Sequence, residues 1–292
     1  MLELKKNIYF VPGEGKGQFP FCNGLYLAGK DKRVLIDAGM GKQKILACVE
    51  KGLDLLILSH CHYDHRSGIR LIQNIPLWCH KEEAPYMESR ERFFEGMGFT
   101  RSGISREELQ MERFPVTPVS NLLSNGDCFD LGGMTLEVVH APGHTPGHLA
   151  FRVDGDAVLF TSDVALTPFG PFYGNDFGDV DQFIASIQRL GSMKADCIAT
   201  SHAGPFYGDA TERFKAYENA IHEKDRALLK MLEKPLRLKD LLNHNLFYPV
   251  YHEPSKIIRW FERVEIEKHL ERLSRMGKVR TKGDLFVRVG QH

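Results

Sequence analysis

The sequence lacks several features that would settle its class at a glance. Its six cysteines are scattered, with no Cys-x-x-Cys pair and no short-spaced framework, which argues against a disulfide-stapled scaffold and favours reduced thiols. No stretch approaches the roughly 20 consecutive apolar residues that would span a bilayer. The first residues, Met1 to Lys6, lack the apolar core of a secretory signal. These absences predict a soluble cytoplasmic protein without a membrane partner.

Net charge is lacking as well, because 38 Lys and Arg balance 38 Asp and Glu over 292 residues. A neutral chain argues against a protein built around an anionic polymer. The charge is nevertheless unevenly distributed, since residues 213–292 hold 18 Lys and Arg against 11 Asp and Glu, and the preceding part carries the opposite imbalance. With 42% hydrophobic and 26% charged residues, the composition indicates a globular protein whose acidic body carries a basic C-terminal part.

Short apolar runs bounded by turn residues predict the strands of the body. They are Ile8–Val11, Gly24–Ala28, Arg33–Ile36, Asp54–Leu58, Ala157–Phe160 and Asp196–Ala199. Three of these runs lead into polar residues: His60 follows the fourth, Asp163 the fifth and His202 the sixth. This recurrence predicts two similar layers whose strand ends converge on one site. The helical spacing of Asp179–Leu190 predicts a helix that packs on a sheet.

A charged, aromatic-bearing insert separates His80 from Pro118. Its sequence predicts short helices at Lys81–Ala84, Ser89–Phe94 and Ser105–Leu109, around a glycine-rich turn. A long excursion of this kind in a compact domain is often a lid or a binding loop. A pair of solvated surface helices explains the pattern equally well, so both interpretations stay open.

The part from residue 213 onwards has a different pattern. Helical and strand spacing predicts three helices and a hairpin, at Ile221–Lys234, Lys239–Leu242, Glu265–Met276, and Val279–Thr281 with Leu285–Arg288. Helices followed by a hairpin resemble a winged-helix module. We therefore predict a catalytic domain over residues 1–212 and a small winged-helix-like domain over residues 213–292.

Residues of metal-ligand type are concentrated directly after the fourth predicted strand, in His60-Cys61-His62-Tyr63-Asp64-His65. A lone histidine is rarely a ligand, but three imidazoles and a carboxylate in one loop are the donors that borderline divalent metals select. Further candidates stand at other strand ends or in turns, namely His144, Asp163 and His202. Seven such ligands are too many for one tetrahedral zinc ion.

Two ions that share Asp163 as a bridge would use all seven ligands. One ion would take His60, His62 and His144, and the other would take Asp64, His65 and His202. Two-metal sites generate hydroxide near neutral pH and clamp a carbonyl or phosphoryl oxygen. Asp64 and Asp163 are the predicted catalytic carboxylates. His148, which follows His144 by one short turn, is predicted to support the ligands rather than to bind metal.

These residues resemble the signature of the metallo-β-lactamase superfamily, which is His-x-His-x-Asp-His with a downstream His, a bridging Asp and a final His. The resemblance covers roughly residues 8–205. It implies the α+β class and the αβ/βα sandwich of that family, with the metal ions at one edge of two facing sheets. It also implies that Asp37, which follows the third predicted strand, supports the metal-binding loop through hydrogen bonds.

Within that superfamily, the full ligand set is similar to the ligand sets of glyoxalase II-like thioesterases, lactonases and phosphodiesterases. Antibiotic hydrolysis is disfavoured, because secreted β-lactamases need an export signal and their zinc forms typically lack the bridging aspartate. The first hypothesis is therefore a hydrolase that directs metal-bound hydroxide at an ester, thioester or lactone. Its small-molecule substrate would lie against the insert and against the loop that carries Phe169, Phe172 and Tyr173.

Two other activities stay open. The sequence is also similar to lactamase-like ribonucleases with a C-terminal winged helix. If this chain is such an enzyme, its Lys268, Arg272 and Arg275 would offer RNA a basic stripe. Persulfide dioxygenases share a similar His-rich loop but bind a single iron, which the complete second ligand set disfavours. Zinc is the favoured metal, although iron and manganese accept the same donors. The C-terminal part could alternatively cap the site or form a homodimer.

Overall fold

The computed structural model describes residues 1–110, 113–250 and 254–290, which contain two facing β-sheets and a smaller third one. The first sheet has seven strands in chain order. They are β1 Leu2–Lys5, β2 Ile8–Val11, β3 Gly24–Ala28, β4 Arg33–Ile36, β5 Leu55–Ile57, β6 Leu77–His80 and β7 Asn121–Leu123. Strands β1 to β4 pair antiparallel, whereas β4 to β7 pair parallel.

The second sheet has six strands in the order β13-β12-β11-β10-β9-β8. They are β8 Cys128–Asp130, β9 Thr135–His140, β10 Leu149–Val153, β11 Val158–Phe160, β12 Cys197–Ala199 and β13 Phe206–Tyr207. Among the described residues of this sheet, β11 and β12 are the one parallel pair, and the other neighbouring strands pair antiparallel. The carboxyl ends of β11 and β12 therefore lie at the same edge, and Asp163 and His202 follow these two strands.

Apolar side chains from both sheets form the central core, among them Ile36 and Ile57 of the first sheet and Phe151 and Phe160 of the second. Helices cover the outer faces. On the first sheet they include α1 Lys42–Glu50, α3 Ala84–Glu88 and α4 Arg90–Gly96, with the short α2 Tyr63–Arg66 at its edge; on the second they include α5 Val180–Gly191. This architecture confirms the expected αβ/βα sandwich.

The C-terminal part consists of α6 Thr211–Met231, β14 Leu236–Arg237, α7 Leu238–Leu242, α8 Lys256–Arg275, β15 Val279–Lys282 and β16 Leu285–Arg288. Its three strands form a small sheet in the order β14-β16-β15. Helix α6 runs through the predicted domain boundary, because Phe214 and Tyr217 pack in the layer of α5 while Leu228 belongs to the C-terminal cluster. The winged-helix interpretation of this part stays a prediction.

Several elements have the predicted bounds, and the differences have local causes. Strands β2, β3 and β4 begin and end where the sequence predicts them. Helix α3 begins at Ala84 rather than Lys81, because Pro85 favours the first turn of a helix. Residues 106–110 form a turn where the sequence predicts a helix over Ser105–Leu109. Among the helices of the described residues, none combines the length and the apolar character needed to cross a bilayer.

Candidate metal centre

The histidine-rich loop lies at the carboxyl edge of the first sheet, where β5 ends between its parallel neighbours β4 and β6. Helix α2 starts directly after His62 and carries Asp64 and His65. The loop is held near the end of β4 by the Ala38 N–H, which donates to the His65 carbonyl at 2.7 Å. A Cβ on Gly39 would lie 1.4 Å from the Asp64 carbonyl oxygen, so this close approach requires glycine.

Three imidazole nitrogens and one carboxylate oxygen converge in a first cluster. His144 Nε2 lies 2.8 Å from His62 Nδ1 and 3.2 Å from His60 Nε2. Asp163 Oδ2 lies 3.2 Å from His144 Nε2 and 3.9 Å from His60 Nε2. All four side chains are buried. Burial holds the pKa of His60 and of His62 well below the ordinary value, which keeps both rings neutral and able to donate a lone pair.

A second cluster faces the other oxygen of the same carboxylate. Asp163 Oδ1 lies 3.1 Å from His65 Nε2 and 3.3 Å from His202 Nε2. Asp64 Oδ2 lies 3.3 Å from His202 Nε2 and 3.7 Å from His65 Nε2. Although burial opposes ionisation, His202 and His65 hold the pKa of Asp163 well below its ordinary value. The two clusters therefore meet at one ionised carboxylate.

The two clusters suit metal ions because the protein leaves some of their atoms unsatisfied. His65 Nε2 and Asp163 Oδ1 are buried, and within the described residues neither has a partner in hydrogen-bond geometry, despite their short separation. Buried polar atoms without partners are costly, and a divalent cation would satisfy both. Imidazole nitrogen with carboxylate oxygen is a donor set for zinc, iron and manganese. The structure thus brings all seven predicted ligands together in two sets.

Asp37 lies behind the second cluster, where the family resemblance implies it. Its Oδ2 accepts from His65 Nδ1 at 2.9 Å, and its two oxygens also accept from the N–H and the hydroxyl of Ser59. The Ser59 hydroxyl in turn lies 3.0 Å from His60 Nδ1. A carboxylate on the outer nitrogen of an imidazole fixes the tautomer that turns the other nitrogen towards a metal. Asp37 therefore orients the loop without facing the shared carboxylate.

Backbone carbonyls orient two further histidines. His144 Nδ1 donates to the Phe172 carbonyl at 2.7 Å, and His202 Nδ1 donates to the Gly17 carbonyl at 2.6 Å. Each bond engages Nδ1 and turns Nε2 of the ring towards its cluster. Two loops that are distant in sequence from the His-rich motif, those around Gly17 and Phe172, therefore determine how these rings point.

His148 lies beside the clusters and supports the shared carboxylate. Its Nδ1 donates to the Ala141 carbonyl at 2.9 Å, and its Nε2 accepts from the Asp163 N–H at 3.0 Å. Burial lowers the pKa of His148 to about 3, which suits this neutral tautomer. Both ring nitrogens are thus engaged with the backbone, and the supporting role of His148 stays a prediction.

Glu83 is a supporting residue that the sequence does not reveal. Its side chain is fully buried. One oxygen accepts from the Cys61 N–H at 2.8 Å, and the other accepts from the Gly147 N–H and the Thr145 hydroxyl, each at 2.7 Å. It therefore ties the His-rich loop to the turn that carries His144. In the sequence it stands in a charged run that is typical of a solvated helix, so no local signal distinguishes it.

Two aromatic rings flank His62. The ring centroids of Phe172 and Phe177 each lie 6.2 Å from that of His62, and both side chains are half-buried. Phe172 thus lies beside the cluster, as the pocket hypothesis expects. The same expectation is wrong for Tyr173, whose ring is fully buried in the protein interior. Phe169 is 53% exposed, and its place in a pocket stays a prediction.

The expected basic stripe on α8 is engaged within the chain. Arg272 is buried and pairs with Asp225 and Asp181. Arg275 pairs with the same Asp181, and Lys268 donates to a backbone carbonyl in the loop before α5. Arg272 is therefore not available to RNA, whereas Arg275 stays exposed in its ion pair, and the basic stripe as a whole stays a prediction. Helices α5 and α6 pack against α8 and supply the carboxylates, which a helical pattern taken alone does not show.

Comparison with known proteins identifies the family. The profile of the metallo-beta-lactamase superfamily matches residues 17–202, which is more than half of the chain. The chain belongs to the metallo-beta-lactamase superfamily. This is a superfamily of metallo-hydrolases, and the matched span contains all seven residues of the two clusters.

A hydroxyacylglutathione hydrolase of Ruegeria pomeroyi is 31% identical over 163 residues, covering 56% of this chain and 52% of that one. An acyl-coenzyme A thioesterase of Gallus gallus is 25% identical, covering 56% and 64%. The chain spans about half the length of the first curated relatives that it matches. The crystal structure of a metallo-beta-lactamase family protein from Thermus thermophilus has a TM-score of 0.77 at 25% identity, covering 98% and 100%.

Proposed function

We propose that the protein is a binuclear metal-dependent hydrolase that cleaves an ester, thioester or lactone in a small molecule. The observation that carries this proposal is the position of Asp163, whose two carboxylate oxygens face different histidine clusters. A carboxylate that presents one oxygen to each of two ligand sets has the arrangement of a bridge between two ions. A single-iron oxygenase would not require the second set.

The distances support one ligand set for each ion. The first ion would take His60, His62 and His144, the second would take Asp64, His65 and His202, and Asp163 would serve both. When bound, two such ions polarise the scissile carbonyl and lower the pKa of water towards neutrality. Asp64, whose Oδ2 lies 3.3 Å from His202 Nε2, would also be the candidate acceptor for a proton released from that water.

Relatives and local structure favour an acyl substrate. Two of the matched proteins are named for the hydrolysis of hydroxyacylglutathione and of acyl-coenzyme A, both of which are thioesters. The aromatic rings of Phe172 and Phe177 beside His62 offer an apolar surface for an acyl chain. A polyanion such as RNA is less suited, because the body is acidic and the cations of α8 are paired within the chain.

Zinc is the metal we propose for both positions. Nitrogen and carboxylate donors without a thiolate suit zinc in hydrolytic sites, and the same donors also accept iron and manganese. Elemental analysis of protein purified without chelator tests this directly. We expect two ions per chain, and a single iron at full occupancy would favour the oxygenase.

The substrate class requires a screen. Its members are p-nitrophenyl acetate, a glutathione thioester, a lactone, bis-p-nitrophenyl phosphate and single-stranded RNA. We expect turnover of one of the three acyl substrates, with loss of that turnover in His60→Ala. Cleavage of RNA that weakens steeply with salt and disappears in the same variant would instead establish a ribonuclease, because phosphate contacts release counterions.

A further inference from the structure

One peptide group joins the candidate metal centre to the C-terminal helices. Its carbonyl belongs to Phe172 and accepts a hydrogen bond from His144 Nδ1 at 2.7 Å. Its N–H belongs to Tyr173 and donates to Glu265 Oε1 at 3.4 Å. His144 and Glu265 are therefore linked through the two ends of a single amide, with one hydrogen bond on each side.

Glu265 is held firmly at its end of this link. The side chain is fully buried on α8. The hydroxyl of Tyr248 donates to the same Oε1 at 3.0 Å, and the ammonium group of Lys224 on α6 pairs with the other oxygen. A buried carboxylate is tolerated when a cation and further donors compensate its charge. The negative end of the link is thus fixed by two elements of the C-terminal part.

The Tyr173 side chain is fixed by a second set of buried contacts. Its hydroxyl lies 2.7 Å from His269 Nε2, and His269 Nδ1 lies 2.7 Å from Asp225 Oδ1. Asp225 also pairs with Arg272. Tyr173 is therefore held to α8 by both its backbone and its ring, and His269 extends the link to Asp225 on α6, so the peptide in front of Tyr173 has little freedom to turn.

We propose that Glu265 is the positioning carboxylate of His144 and acts through the peptide between Phe172 and Tyr173. A carboxylate that accepts from an amide N–H polarises that amide, and its carbonyl becomes a stronger acceptor for the next bond. A stronger acceptor on Nδ1–H fixes the ring and raises the basicity of Nε2, the atom that faces the first cluster. The C-terminal helices thus tune the affinity of the three-histidine position for its metal, an inference that rests on the proposed metal centre.

The test compares Glu265→Gln with Glu262→Gln in the full chain. Glu262 is a matched control, because it is also buried on α8 but accepts from the Phe247 N–H, away from the clusters. Zn²⁺ affinity is measured by competition with a chromogenic chelator, without substrate, and thermal stability is measured in parallel. We expect Glu265→Gln to lower the affinity for one of the two Zn²⁺ ions by about tenfold. This is the lower end of the effect of removing a carboxylate behind a metal ligand, because Glu265 acts indirectly. Glu262→Gln should leave both Zn²⁺ affinities unchanged.

Equal Zn²⁺ affinities in the two variants, or an equal loss in both that follows their thermal stability, would overturn the proposal and reduce Glu265 to a packing residue. If Glu265→Gln does not fold, Glu265→Asp against Glu262→Asp provides the same comparison with the charge retained and the carboxylate withdrawn. Because substrate takes no part, a protein that binds two ions but hydrolyses no acyl substrate would defeat the proposed function and leave this inference standing.

Discussion

Asp163 is the residue on which both clusters depend, since its oxygens lie within 3.3 Å of histidines from each of them. The sequence predicts it because it stands three residues after the apolar strand that ends at Phe160, at the strand end where ligand-type residues recur. The same logic finds His60 and His202. It does not find Glu83 or Glu265, whose partners come from distant segments and which stand in stretches that contain several other charged residues.

Asp163→Ala should remove one of the two metal ions and lower turnover by about a thousandfold or more. Several kcal/mol of metal-ion stabilisation would be lost, and each 1.4 kcal/mol corresponds to about a factor of ten in rate. Elemental analysis and steady-state kinetics measure the two effects, with the exposed Asp130→Ala as control. Retention of both metals and full turnover would show that the bridge assignment is wrong.

His80 gives the protein a pH-dependent stability that is separate from the clusters. It stacks on His140 at 4.2 Å, and burial, followed by His140 and Lys81, lowers the pKa of His80 from 6.5 to about 4. As the pH falls from 6.5 to 4, His80 is protonated in the unfolded chain but stays neutral in the folded protein. The folded state therefore loses stability across that pH range. Above pH 6.5 both states are neutral and the effect vanishes.

His80→Gln should therefore flatten the loss of stability between pH 6.5 and pH 4. Urea unfolding at several pH values measures the free energy of unfolding of the variant and of the wild type. His244→Gln, at an exposed position, should follow the wild-type profile. Parallel profiles for wild type and His80→Gln would show that this ring does not govern acid sensitivity.

At the scale of secondary structure, local pattern predicts six strands of the two large sheets but misses others, such as β9 and β10, and it predicts the long helices only in part. Strands β2 to β4 are confirmed with their bounds, because alternating or continuous apolar runs between turn residues are local signals. Helix α8 begins at Lys256, before the predicted Glu265. The missed turns bury Glu262, and the core-facing side also includes Glu265 and His269. A prediction from the spacing of apolar residues places such charged residues on the surface. In this helix their polar atoms instead form hydrogen bonds with buried partners.

Helix α6 supports the shared carboxylate through one side chain. The Tyr217 hydroxyl donates to the Asp163 carbonyl and accepts from the Ala165 N–H, both at 3.2 Å, and the ring is buried against α5. Removing the hydroxyl leaves a buried N–H and a buried carbonyl without this partner, which costs about 1–3 kcal/mol.

Tyr217→Phe should accordingly lower the free energy of unfolding by that amount and weaken metal retention after mild chelation. Denaturant unfolding and residual metal content measure the two effects. Tyr207→Phe is the control, because that ring is 61% exposed on the edge strand β13. If Tyr217→Phe behaves like the control, α6 contributes packing alone to the site.

At the scale of the molecule, the C-terminal helices belong to the same packed structure as the sandwich. Trp260 and Val264 of α8 are part of the core beneath the first sheet, whereas Ile266 and Leu270 of the same helix belong to the C-terminal cluster. The Trp260 indole N–H donates to the Met97 carbonyl at 3.1 Å. A helix whose two halves pack in two different cores couples the stability of those cores. Neither the C-terminal part nor the sandwich is therefore expected to unfold first.

The two tryptophans of the chain, Trp78 in β6 and Trp260 in α8, allow this coupling to be measured. In Trp78→Phe the fluorescence reports α8, and in Trp260→Phe it reports the first sheet. We expect the urea transition seen by fluorescence to coincide with that seen by far-ultraviolet circular dichroism in each variant, because a single cooperative unit gives coincident probes. In Trp78→Phe, the Trp260 fluorescence transition could precede the circular dichroism transition, while the two transitions still coincide in Trp260→Phe. That result would mean that the C-terminal part is an independent domain docked on the sandwich. Coincidence in both variants would mean that residues on both sides of position 212 fold as one, and that metal binding at the sheet edge stabilises the C-terminal helices as well.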